Sequence, residues 1–260
     1  MKIYIFADME GISGISGSDF VLPNGSHFEE GRRYYTWDIN ACVRGCMNAG
    51  ADGVIVRDGH SQGNYALLSE LDPRVEIIQG RTERRTPGIA ECEGLILLGY
   101  HAMAGTSGAL LEHTYSSAAI QNLWMNGRLV GEIGVDAAIA ADYGVPTIMV
   151  SGDDHACREA EVWIPGVVTC QVKTGLGAEG ARLLPIDASH RLIEAKAAEA
   201  LSSIRNAKPI SVEHPVTLRK EMVERQPVPR DLARPGIKII DGRTIEATAS
   251  TVEQAFFMLL

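Results

Sequence analysis

A chain of 260 residues, 45% apolar and 22% charged, has an ordinary globular composition and can bury a full core, as one large domain or as a main domain with an appendage. Its net charge of −9 speaks against nucleic acid and acidic membrane surfaces, which demand a basic footprint, and leaves small molecules and metals as expected partners. No apolar run reaches the ~18 residues of a membrane span, the opening MKIYIF lacks the apolar segment of a signal peptide, and five cysteines form an odd set that suits a reducing compartment, so a cytoplasmic location is predicted.

MKIYIFAD alternates apolar residues as a strand does. The next element is a helix over 28–48, with a stripe through Tyr35, Ile39, Cys42, Val43 and Cys46 at spacings of three and four, and Gly50 suits its C-terminal end. Cys42 and Cys46, one turn apart, could share a metal but read first as small core residues. Strands follow at 53–57, 75–78, 94–100 and 146–150, several of them continuous apolar runs that mark parallel strands covered on both faces. Asn126-Gly127 interrupts this alternation with a hairpin signal and leads into a helix at about 134–143. After Asp187 a long helix is predicted, and the tail holds strands at 215–220, 237–240 and 244–249 and a helix at 251–260. The expected fold is α/β: a mainly parallel sheet flanked by helices over 1–207, and a smaller α+β unit over 208–260 packed on it.

In open α/β sheets ligands gather outside the carboxyl ends of the strands. The first strand gives out at Asp8 and Glu10, two apart and so on one face of an extended chain. Like charges side by side belong either to a solvated loop or around a cation. The next strand ends in VRDGH, with Asp58 and His60, and the fully apolar one in GYHA, with His101. Each ending alone has a structural reading; three metal-competent endings on one sheet edge point to a bound ion. His113, in LLEHTYS, and Glu132, in VGEIG, come from the irregular middle, and Glu132 reads equally as a helix-start carboxylate drawn to the dipole. Mixed carboxylate and imidazole ligands suit Zn²⁺ or another borderline divalent ion, and ion pairs about 3.5–4 Å apart are typical of hydrolases that activate water. Of Asp153 and Asp154, one is expected to cap a helix, and the other could accept a hydrogen bond from a ligand histidine, as could Asp58. Lys173 would bind a substrate carboxylate or be solvated.

DMEG at 8–11, DGH at 58–60, GYHA at 99–102, the His113 segment, GEIG at 131–134 and SGDD at 151–154 resemble, in order and spacing, the motifs of the zinc-dependent D-aminopeptidase family. The resemblance is specific through about residue 175 and looser beyond. It implies an aminopeptidase that removes an N-terminal residue, D-configured, from short peptides or amides. It implies Asp8, Glu10, His60, His101 and Glu132 as ligands of two zinc ions per subunit, with Asp8 bridging. It places the catalytic histidine at His113, as nucleophile or as acid–base group, and implies a closed homodecamer around the active sites. Glu112 departs from the family pattern, which is expected to have a small uncharged residue there; the added acid would raise the pKa of His113 or select a basic substrate.

Three other readings compete. An Asp-nucleophile phosphohydrolase would want a second Asp where Glu10 stands and a hydroxyl soon after it. A metallo-amidohydrolase of other specificity would use the same ligands. A non-catalytic metal- or solute-binding module would have no use for His113 beyond the ligand shell.

Overall fold

The computed structural model describes residues 1–225 and 235–260. A seven-stranded sheet runs in the order β3 (Val75–Ile78), β2 (Gly53–Asp58), β1 (Lys2–Ala7), β4 (Gly94–Tyr100), β7 (Thr147–Asp153), β8 (Val168–Gly177), β9 (Gly180–Leu183). Only β9 runs against its neighbour; the other pairings are parallel. The chain builds outward from β1 through β2 to β3 and then crosses to the other side of β1 as β4. This reversal opens a crevice between the carboxyl ends of β1 and β4, where open α/β sheets hold their ligands.

Alternation along β1 feeds two cores. Ile3, Ile5 and Ala7 pack with Tyr35, Ile39 and Cys42 of α1 (Phe28–Asn48) and with Ile193 and Ala197 of α4 (Ile186–Ser202). Tyr4 and Phe6 face the other way, toward α2 (Glu132–Asp142), α3 (Asp154–Trp163) and α5 (Val252–Leu259). All of β4 is buried, and each large aliphatic so buried contributes about 1.5–3 kcal/mol. The five cysteines are free and buried, Cys42 and Cys46 on the inward stripe of α1.

A second, antiparallel sheet lies in the order β11 (Ile237–Ile239), β12 (Thr244–Ala249), β10 (Val216–Met222), β5 (Ile120–Met125), β6 (Arg128–Leu129). The hairpin β5–β6 turns at Asn126 and Gly127, both at positive φ as a type I′ turn requires. Its long partner is β10, from 93 residues (Leu218 with Met125) to 102 residues (Met222 with Ile120) away in sequence; the second sheet therefore joins the middle of the chain to its tail. Three details differ from the sequence reading. α2 begins at Glu132, because Gly131 is extended and serves as N-cap. β7 runs on to Asp153, and Gly152 meets the β4 backbone so closely that an added Cβ would lie 2.2 Å from the Tyr100 carbonyl oxygen. β8 and β9 were not apparent in the sequence, where Gln171, Lys173 and Gly175 break the apolar run. No helix among the described residues is long and apolar enough to cross a membrane.

Candidate metal centre

Three strand ends and one helix start converge. Asp8 follows β1, His60 follows β2, His101 follows β4, and Glu132 is the first residue of α2. Two glycines let the β1 and β4 ends close up. A Cβ on Gly11 would sit 2.0 Å from the Tyr100 carbonyl oxygen, and Gly99, at φ +73, presses on the Asp8 carbonyl. His113 arrives on the loop between β4 and β5, flanked by Leu111 and Tyr115 at positive φ, uncommon for such residues and held here by the surrounding packing.

Asp8 stands between the two histidine-bearing strands. Its Oδ1 is 3.0 Å from His60 Nδ1 and its Oδ2 is 3.4 Å from His101 Nε2. Glu10 Oε2 lies 3.2 Å from the same His60 nitrogen. Glu132 Oε1 is 3.4 Å from His101 Nε2 and 3.8 Å from His113 Nε2. The rings of His101 and His113 stack, with centroids 4.0 Å apart. Two ligand-competent groups result, Asp8 with Glu10 and His60, and His101 with His113 and Glu132, the potential donor atoms of each lying within 4.8 Å of one another.

Backbone carbonyls fix the tautomers, since a carbonyl oxygen only accepts. His101 Nδ1 donates to the Ala102 carbonyl and His113 Nδ1 to the Leu111 carbonyl, at 3.0 and 2.9 Å. In each neutral ring the lone pair is therefore on Nε2, facing Glu132. His60 is reversed, Nε2 donating to the Val21 carbonyl at 3.3 Å, which leaves Nδ1 for Asp8 and Glu10.

Burial alone would raise the Asp8 carboxyl, but the close approach and charge of His101 and His60 outweigh it and hold it well below the usual carboxylate range. Burial likewise raises Glu132, yet His101 carries it below its ordinary value. His60 and His101 are held well above the usual histidine range: burial would lower both, but Glu10 and Asp8 overcome this at His60, and Asp8 and Glu132 at His101. Three carboxylates thus draw in positive charge. His101 Nε2 and Glu10 Oε2 are also buried without a hydrogen-bond partner, an arrangement that is costly unless something else completes it. A divalent cation on each group meets both demands, so the donor set fits two borderline ions.

The profile of the peptidase M55 family, described as D-aminopeptidase, matches residues 1–260. The chain belongs to the M55 D-aminopeptidase family. It is 33% identical over 264 aligned positions to the D-aminopeptidase of Bacillus subtilis (strain 168), covering 100% of this chain and 96% of that protein. Its structure is similar to that of the Zn-dependent D-aminopeptidase DppA from Bacillus subtilis, a self-compartmentalizing protease, with a TM-score of 0.94 and 32% identity over 100% of this chain and 95% of the other.

Around the centre of this M55 chain, Asp153 is the helix cap expected of one of the two aspartates, while Asp58, Asp154 and Lys173 act differently from the sequence expectation. Asp58 is fully buried and ties down the loop after β2, accepting from the Tyr65 and Ala66 N–H groups, Gln79 and the Tyr35 hydroxyl. Asp153 caps α3 through the Ala156 N–H and accepts from the Leu110 N–H, so it also steadies the loop bearing His113. Asp154 accepts from the Gly175 N–H and pairs with Arg158 rather than with His60 or His101. Lys173 is neither solvated nor aimed at substrate. Its buried ammonium donates to the carbonyls of Glu10, Ile12 and Ile15 at 2.7, 2.7 and 2.9 Å. Burial draws its pKa down to about 7, while three carbonyl acceptors favour the protonated form.

A cleft of about 350 Å³ opens beside Glu10, His60 and His113 and is also lined by Leu22, Glu112 and Glu179. Glu112 Oε2 is held by the Gly105 N–H at 2.6 Å. Three buried or largely buried groups behind the centre escaped the sequence reading. Glu159 accepts from the Met103 N–H, and burial raises its pKa to about 7. Asp136 lies one turn after Glu132 on α2, a spacing that signals a shared helix face. Arg85, its partner, sits in the run RTERRT, where it is indistinguishable from a solvated charge.

Proposed function

We propose that the protein is a two-zinc aminopeptidase that removes an N-terminal residue, D-configured, from short peptides or amides. The observation that carries the two-ion reading is Asp8, whose separate oxygens face His60 and His101, the placement expected of a bridging carboxylate. Glu10 and His60 would complete one ion's protein shell, and His101 with Glu132 the other's. Zinc bound there would act as a Lewis acid on the scissile carbonyl and offset charge developing on its oxygen. His113 reaches the cleft with an Nε2 lone pair turned inward, so it can take or return a proton, or attack, at the reacting carbon. The D-preference and a self-enclosing assembly, expected as a homodecamer, rest on the similarity to the Bacillus subtilis enzyme.

Protein stripped with a chelator should lose activity and regain it with zinc. The restored enzyme should cleave D-alanyl amides and D-Ala-D-Ala faster than their L-counterparts. Equal or reversed rates would leave a metallo-amidase and overturn the stereochemical assignment.

A further inference from the structure

Arg85 carries a largely buried cation, its side chain 14% exposed, directly behind Glu132. Its guanidinium lies 4.8 Å from the ring centroid of Phe6, 4.9 Å from that of Tyr115 and 5.0 Å from that of Phe256. Asp136 grips it through two parallel bonds, from Nε and from Nη2, the latter 2.8 Å long. The Tyr100 hydroxyl donates to Asp136 Oδ2 at 2.6 Å and fixes that carboxylate in turn. The Arg85 backbone N–H is anchored by Glu253 of α5 at 2.8 Å. Glu132 turns Oε1 toward His101 and the Tyr115 N–H, while its Oε2 is 3.8 Å from Arg85 Nη2. That separation is beyond a hydrogen bond but short enough for the guanidinium to close with a small rotation.

We propose that Asp136 is a positioning residue for the metal centre: by engaging Arg85 from both donors it holds the guanidinium off Glu132, so that Glu132 stays available to a cation. A planar guanidinium matches a carboxylate in a bidentate fork, and Glu132 and Asp136 present two such carboxylates one helical turn apart on α2. Whichever carboxylate binds Arg85 in that way has its lone pairs occupied and its charge offset. Asp136 wins in this structure because it has the fork and the Tyr100 hydroxyl together. Neutralising it would hand Arg85 to Glu132, and the ion served by His101 and Glu132 would lose a ligand. An ion pair that merely cemented α2 to the loop bearing Arg85 would affect folding without favouring one ion over the other.

This inference rests on the proposed two-ion centre, and the test separates the two. Metal-free protein is titrated with zinc against a chromophoric chelator, and the melting of the metal-free form is followed in parallel. Wild type should take up two ions; fewer would count against the two-ion reading itself. Asp136→Asn should keep one ion at wild-type affinity and bind the second about 10–100-fold more weakly, the usual scale for a lost partner behind a ligand. The double variant Arg85→Met/Asp136→Asn, with no guanidinium to capture Glu132 and no unpaired charge, should recover the second ion to near wild-type affinity even if it melts lower. Unchanged binding in Asp136→Asn, or equal weakening of both ions, would overturn the proposal. Should Asp136→Asn fail to fold, the charge-neutral double variant decides: retention of both ions supports the proposal and loss of the second sinks it.

Discussion

His113 and His101 stack face to face, yet they face different surroundings. The His101 side chain is 2% exposed and that of His113 is 17% exposed, and of the two only His113 lines the cleft. On the proposed reading, His101 serves the cation and His113 serves the substrate. Five ligands suffice for two ions when one carboxylate bridges, and a sixth would close the position that catalysis needs open. An imidazole beside that position, its proton fixed on Nδ1 by the Leu111 carbonyl, offers the Nε2 lone pair to the reacting group. His113→Ala is therefore expected to keep two zinc ions and the wild-type fold while kcat falls roughly 10²-fold or more, the scale of a lost acid–base group. Metal analysis and circular dichroism alongside turnover check this. Near-normal turnover, or departure of one ion along with activity, would show that His113 has a different part.

At the scale of elements, the centre depends on how firmly each strand end is held. The turn after β1 carries Glu10 and contains no regular structure of its own; within it only the Met9 and Ile12 carbonyls accept from the Ile12 and Ile15 N–H groups, so the Glu10 and Ile15 carbonyls depend on a donor from elsewhere. Lys173 of β8 supplies three at once. Lys173→Met fills the same space but strips those donors; the Ile12 carbonyl keeps the Ile15 N–H, while the Glu10 and Ile15 carbonyls left bare cost about 1–3 kcal/mol each. A loss of at least ~2 kcal/mol in denaturant unfolding of the metal-free protein is expected; a change under ~1 kcal/mol would mean that water reaches the carbonyls and the lysine is dispensable. The helix at 28–48 and the strand at 94–100 were readable to the residue, because a periodic stripe or an unbroken apolar run declares each. So were the chemical groups at the strand ends, since a charged residue halting an apolar run is a local signal. Lys173, Arg85 and Asp136 were not. Their roles come from partners 158 to 163 residues away for Lys173 and 51 for Arg85, and nothing local distinguishes a buried cation from a solvated one. The pairing of β5 with β10 is hidden for the same reason: a hairpin signal specifies its own turn but not the strand beyond.

The whole molecule leaves apolar side chains facing outward in places that bear on assembly. Leu176, near the end of β8, is 70% exposed, and Leu22 is 49% exposed. Leu22 lines the cleft, and Leu176 is two residues from Ala178, which lines it too. Single exposed leucines are unremarkable on a monomer, but one lining the cleft and one on the strand that leads to it are suited to burial against another copy of the chain. Covering them would narrow the approach to His113 and admit short peptides in preference to folded proteins, a physical use for self-enclosure in a peptidase. On that argument, together with the proposed homodecamer, light scattering of the purified protein should return a mass about ten times the 28.0 kDa of one chain. Leu176→Asp places a charge where contact is expected and should shift the population toward smaller species, with the metal content of each chain unchanged. A stable wild-type monomer at 28.0 kDa would remove the enclosed chamber and leave selection of short substrates to the 350 Å³ cleft alone.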